Sequence, residues 1–235
     1  MGSGHRAQAA KLVEMKTSTE IIKPSSSEKL LGCWISENLK WSEHIRDNKD
    51  SLMASLNTRI NAIKKISKLG SFQNRKMLAN GIFMSKLVYL IALWGGCGTM
   101  MRRSLQMLQN KVARMVTKLE WSTPTEVLLK QVGWLSVHQL ELFHSVLLIY
   151  KVKKDRVPEN LYNMFSSTYS YDTRQARGGM IKLMGIPKLD LSKNSFRWRG
   201  ANQFNQLPET IRTSPNVMVF KARAKEWIRS NVSLN

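Results

Sequence analysis

Carboxylates are scarce in this 235-residue chain: 16 Asp and Glu stand against 37 Lys and Arg, and none lies between Asp50 and Glu120. A two-metal polymerase or nuclease site needs at least two carboxylates placed to share Mg²⁺. The aspartates are Asp47, Asp50, Asp155, Asp172 and Asp190, no two of them adjacent. Asp47 and Asp50, at i,i+3 spacing, read as helix N-terminal charges favoured by the macrodipole. The only cysteines, Cys33 and Cys97, exclude a disulfide framework and a Cys-rich zinc site. The four histidines (His5, His44, His138, His144) lack zinc spacing, and His138 and His144, flanking a core helix, read as satisfied helical histidines. No phosphate-binding glycine loop of the G-x-x-x-x-G-K-[ST] type occurs, and no G-x-S-x-G elbow. The sequence therefore yields no complete active site, and no metal, cofactor or small-molecule substrate is expected. Long apolar runs are missing too. The longest, Leu87 to Trp94, is far short of the roughly 20 residues that span a bilayer. The start, Met1 to Arg6, has no apolar signal core and fails the myristoylation pattern. An intracellular setting, nuclear or cytoplasmic, is expected, without membrane contact or secretion.

What is present is positive charge, unevenly placed. Residues 1–43 carry net +1, residues 44–118 carry 14 basic and 2 acidic side chains for net +12, residues 119–171 are neutral, and residues 172–235 carry net +8. A surface selected only for solubility mixes both signs. A stretch of 69 residues with 12 cations and no acid fits selection against repelling a phosphate backbone, although a basic helical face without a partner has the same composition. Hydrophobic residues make up 43%, enough for a packed core.

The patterning predicts a mainly α chain. After a polar segment, 1–27, strands at 19–23 and 29–36 form a short β ribbon, with Gly32 marking a bulge or close backbone approach. Residues 43–120 read as a three-helix bundle. Its first helix runs from a cap at Ser42 to about Leu69, with Ile45, Leu52, Leu56, Ile60, Ile63 and Ile66 on one stripe and Arg59 snorkelling beside it. The second, about 72–94, is apolar nearly all round from Ile82, as a central buried helix would be. The third, about 100–119, turns Leu105, Val112 and Val116 one way and Arg103, Lys111, Arg114 and Lys118 the other. A helical connection follows over 121–165. There Thr123-Pro124-Thr125-Glu126 reads as a capping box, and Ser136 caps a core helix to about Lys153. Residues 166–194 are loop-rich, and a smaller helical extension fills 195–235, with helices near 195–205 and 216–231.

Candidate contacts for a polyanion are Arg46, Lys64, Lys65, Lys68, Arg103, Lys111, Arg114 and Lys118 on the bundle, joined by Lys29, Arg75 and Lys76. Trp34 reads equally as strand packing or as a nucleic-acid contact. Phe196-Arg197-Trp198-Arg199 alternates aromatic and guanidinium, so Arg197 and Arg199 read equally as a solvated face or as a clamp that stacks bases and holds phosphates.

The order of several short motifs is telling. Leu30-Leu31-Gly32 precedes Leu39-Lys40-Trp41-Ser42-Glu43-His44-Ile45. Ser85 to Trp94 (SKLVYLIALW), Leu105 to Arg114 (LQMLQNKVAR), Gly133-Trp134-Leu135-Ser136-Val137, Tyr150-Lys151, Tyr171-Asp172-Thr173-Arg174 and Phe204-Asn205-Gln206-Leu207-Pro208 follow. This set, over residues 28–231, resembles the part after the catalytic hairpin in reverse transcriptases of non-LTR retrotransposons, the jockey and CR1-like groups. Phe204 stands where relatives often have Trp. The resemblance implies that residues 28–42, with Gly32, are a primer grip and that 43–120 is a thumb tracking the template–primer duplex. It also places Arg174 in a C-terminal extension. It further implies that the catalytic Asp pair, palm and fingers are absent here, so that this chain is no enzyme by itself. The implied partners are an RNA–DNA or DNA duplex, bound without sequence preference, and the missing palm and fingers. Two rivals remain: a non-enzymatic basic helical adaptor retained from a mobile element, and an enzyme with an unfamiliar site.

Overall fold

The computed structural model describes residues 15–16, 21–66, 70–154, 156–166, 178–181 and 187–234. The chain divides into two compact units between Ser51 and Leu52. Lys68, Arg174 and most of the 166–194 loop lie outside the described residues.

The first unit holds two small antiparallel ribbons. Strands β1 (Met15–Lys16) and β2 (Ile21–Ile22) pair with each other, as do β3 (Ser27–Leu30) and β4 (Cys33–Ser36). The expected strand 29–36 is therefore a hairpin, with Lys29 opposite Trp34 and Leu30 opposite Cys33. Leu31 (φ 48°) and Gly32 (φ 78°) form its turn. Positive φ at both central residues is the turn geometry whose twist matches two paired strands, so Gly32 serves a reversal, not a bulge. Next comes a single wide helical turn, α1 (Glu43–Asp47), in which His44 and Ile45 are buried. The expected helix from Ser42 to Leu69 is interrupted here. Asn48 is extended (ψ 151°), its carbonyl accepts from the Ser51 N–H, and its side chain accepts from the Asp50 N–H. Asparagine offers the backbone this local alternative to helix.

The second unit is helical. Its first members are α2 (Leu52–Ile66), α3 (Phe72–Ala79), α4 (Ser85–Val88), α5 (Ile91–Trp94) and α6 (Thr99–Thr117). The connection from α6 onward carries α7 (Thr125–Val132), α8 (Val137–Lys153) and α9 (Glu159–Ser166). Four more follow: α10 (Asp190–Asn194), α11 (Phe196–Asn205), α12 (Glu209–Arg212) and α13 (Val217–Asn231). The stripe of α2 is buried as expected at Leu52, Leu56, Ile60 and Ile63, and α2 and α3 both pack on α6.

The expected second helix, 72–94, is not continuous. A wide turn at Asn80–Met84 joins α3 to α4, and the Arg59 guanidinium donates to the Ile82 carbonyl at 2.8 Å. The chain then breaks at Tyr89 and Leu90 (φ 55°). The Trp94 indole N–H takes up the Tyr89 carbonyl at 2.8 Å. The break leaves Tyr89, Leu90 and Leu93 exposed, so this segment is not buried all round. Gly95 follows because a Cβ there would stand 2.1 Å from Glu141 Cγ.

Ser136 and Gln139 form a reciprocal cap at the start of α8, as the sequence predicts. The cap expected at Thr123 does not form. Pro124 itself occupies the N-cap position of α7 and supplies no side-chain bond. Arg114 holds the Thr123 carbonyl, while Asn110 donates to the Thr125 hydroxyl at 2.8 Å. Helix α8 is buried on most sides and packs against α5, α11 and α13. Tyr150, Phe204 and Phe220 form a stack at the centre of that core, and the Tyr150 hydroxyl donates to the Ser214 carbonyl at 2.7 Å.

Candidate nucleic-acid interface

Helix α6 sorts its residues cleanly. Leu105, Gln109, Val112, Ala113 and Val116 are buried, while Arg103, Lys111 and Lys118 are exposed. At 100° per residue the cations leave from the side opposite the core. Lys118 ends the helix in the left-handed conformation (φ 60°), its N–H donating to the Arg114 carbonyl at 2.8 Å. Lys64 and Lys65 are exposed near the end of α2. Arg102 and Arg103 border a cavity of about 210 Å³ shared with Thr99, Gln106 and Leu234.

Several other candidates are committed within the fold. Arg75 is 7% exposed; it donates to the Val116 carbonyl at 2.9 Å and the Gly70 carbonyl at 2.6 Å. It ties the start of α3 to the end of α6 and presents no guanidinium to a backbone phosphate. Arg199 is likewise withdrawn: it ion-pairs with the buried Glu141 and donates to the Ala92 carbonyl at 2.7 Å. Of the two readings of its segment, neither clamp nor solvated face holds for Arg199, because a carboxylate below it claims the charge. Arg197, two residues earlier, is exposed. Arg114 is half-buried, with its guanidinium carbon 4.5 Å from the Trp121 ring centroid. Lys76 is half-buried, and its ammonium lies near Gly133.

In the first unit, Lys29 lies over the Trp34 ring at 5.6 Å and pairs with Asp50 at 3.6 Å. Trp34 is half-buried, and its backbone N–H donates to His44 Nδ1 at 3.4 Å. Gly32 sits exposed at the hairpin turn. Arg46 is exposed and bonds Asp47 at 2.8 Å.

Sequence reasoning missed three groups. Glu141, 2% exposed, accepts from Gln203 at 3.1 and 3.2 Å and from the Ser145 hydroxyl at 3.1 Å, in addition to Arg199. The one carboxylate among the apolar residues of α8 was the available signal. Gln106, Gln109 and Asn110 form a polar seam. Gln109 donates to the Leu135 carbonyl at 2.9 Å, and Gln106 accepts from the Val137 N–H at 2.8 Å. Trp121 is the third, 78% exposed beside Arg114. Burial pushes the Cys97 thiol up despite the nearby Arg102 and Arg199, and burial reinforced by Arg102 pushes His138 down. Among the described residues, no three His, Cys, Asp or Glu side chains group to hold a metal, and no single helix is long and apolar enough to cross a membrane.

No family model and no solved structure matches the chain. One similar protein is a probable RNA-directed DNA polymerase from transposon X-element of Drosophila melanogaster, 31% identical over 97 residues. The match covers 41% of this chain and 10% of that protein's length. The mainly helical chain that carries these exposed cations is thus related in sequence to a retrotransposon RNA-directed DNA polymerase.

Proposed function

We propose that this chain is the primer-grip, thumb and connection part of a non-LTR retrotransposon RNA-directed DNA polymerase of the jockey or CR1-like type. It holds template–primer duplex through backbone contacts, while palm and fingers outside this chain carry the polymerising chemistry. The observation behind the reading is the acid-free stretch, whose cations Lys64, Lys65, Arg103, Lys111 and Lys118 all reach solvent. Phosphate contacts of this kind position a duplex and carry no base information. Each neutralised phosphate releases counterion, so the logarithm of affinity falls linearly with the logarithm of salt concentration.

The test is anisotropy titration of a labelled RNA–DNA duplex across a KCl series. About five phosphates engaged gives a slope of about −4 to −5. Lys111→Ala is expected to make the slope shallower by about one. A flat salt dependence overturns the reading, as does primer extension by the purified chain with Mg²⁺ and dNTPs. Exposed Met77, Met100 and Met107 favour a second reading, a basic helical adaptor that docks on protein. Weak, non-saturating duplex binding together with a tight protein partner supports that alternative.

A further inference from the structure

Trp121 has no place in the core, yet its position is fixed. It lies between α6 and α7 with 78% of its surface in solvent. The Arg114 guanidinium covers part of the ring, its central carbon 4.5 Å from the centroid. The same group donates to the Trp121 carbonyl at 3.0 Å and the Thr123 carbonyl at 3.3 Å. Further bonds hold the loop: the Leu119 N–H donates to the Thr117 hydroxyl at 3.3 Å and the Thr123 N–H to the Glu120 carbonyl at 3.2 Å. Glu120, the one carboxylate between Asp50 and Glu126, accepts from the Ser122 hydroxyl at 3.4 Å.

A large exposed indole forgoes the stabilisation that burial of its apolar area would bring. Here it is also immobilised on a cation, with most of its surface left open. That combination suits a flat π-surface arriving from solvent, since base–aromatic stacking tolerates any base and gains from a neighbouring guanidinium. Lys111, one helical turn before Arg114 on α6, and Lys118, the left-handed residue that closes the helix, stand on either side of Arg114 in the chain. Both are exposed cations, available to phosphates of a strand that reaches this end of α6.

We propose that Trp121 is a stacking platform for an unpaired nucleobase, so that this surface engages the junction between duplex and single strand. Bases inside a duplex are already stacked and paired, whereas a single-stranded extension offers unpaired bases. The inference rests on the duplex-binding reading and adds to it a preference for one kind of nucleic-acid end.

The full chain, as wild type, Trp121→Ala and Trp121→Phe, is titrated with two labelled RNA–DNA duplexes at one salt concentration. One is blunt and the other carries a short single-stranded template extension. Wild type is expected to bind the extended duplex about tenfold more tightly than the blunt one. Trp121→Ala removes most of that ratio while leaving the blunt-duplex affinity and salt slope unchanged, and Trp121→Phe keeps part of it. Equal affinities of wild type for the two duplexes overturn the stacking inference while leaving duplex binding intact. So does an equal loss on both duplexes in Trp121→Ala with unchanged circular dichroism. Failure of wild type to bind either duplex overturns both readings.

Discussion

Glu141 and Arg199 show how one buried charge commits another. Removing two ions from water costs several kcal/mol each, and the attraction between them offsets this only when the remaining hydrogen-bonding positions are filled. Gln203 and Ser145 fill them on the carboxylate, and the Ala92 and Asn194 carbonyls accept two of the guanidinium N–H groups. Removing one partner leaves the other charged, buried and unpaired. Glu141→Ala is expected to destabilise the protein by about 3–5 kcal/mol, and Arg199→Met by a similar amount. The double variant Glu141→Leu/Arg199→Met should lose less than the sum of the two. Urea denaturation of the three variants checks this; single-variant losses below about 1 kcal/mol would mean the pair is solvated. An arginine next to Trp198 in an alternating aromatic and guanidinium run gave no hint in sequence that its partner would come from a helix some sixty residues earlier.

Elements were legible where the determinant is local. The cap at Ser136 needs only Ser and Gln three residues apart, and the stripe of α6 only its own spacing. The breaks were not legible. The interruption at Tyr89 and Leu90 depends on the Trp94 indole reaching back to a freed carbonyl, and the missing cap of α7 depends on Arg114 and Asn110 claiming neighbouring groups. The β3–β4 hairpin carries a similar tension in its turn, where Leu31 adopts a left-handed conformation costly for a residue with a Cβ. Leu31 is 80% exposed, so replacing it sacrifices little packing. Leu31→Asn is expected to stabilise the hairpin by about 1 kcal/mol. Slower hydrogen exchange at the β3 and β4 ladder amides would show it; unchanged or faster exchange would contradict it.

At the scale of the whole molecule, the formal +21 is divided between display and construction. Arg212, like Arg75, is buried and cross-links carbonyls, here those of Asn205 and Leu207 together with Gly178. A molecule this basic gains nothing from more positive charge inside. Burial holds His144 below its usual 6.5, reinforced by Lys151 and Lys221, and burial holds His138 down in the same way with Arg102. The unfolded chain therefore takes up these protons first as pH falls. Stability is unaffected well above 6.5, then declines through 6.5 toward the lowered folded-state values. Thermal melts between pH 7.5 and 5.5 should show this decline. His144→Gln should flatten it; an unchanged slope in that variant would assign the decline to other groups.

The sequence by itself determined the helical periods, the cap of α8, the concentration of cations between Asp50 and Glu120, and an ordered set of motifs like those of a retrotransposon polymerase. Each of these depends on residue type and short spacing alone. Only the tertiary structure decided which cations remain available. Arg103, Lys111 and Lys118 reach solvent, whereas Arg75 and Arg199 are consumed by carbonyls and a carboxylate from distant helices. A guanidinium binds whichever acceptor the fold brings within about 3 Å, and that proximity is a property of packing.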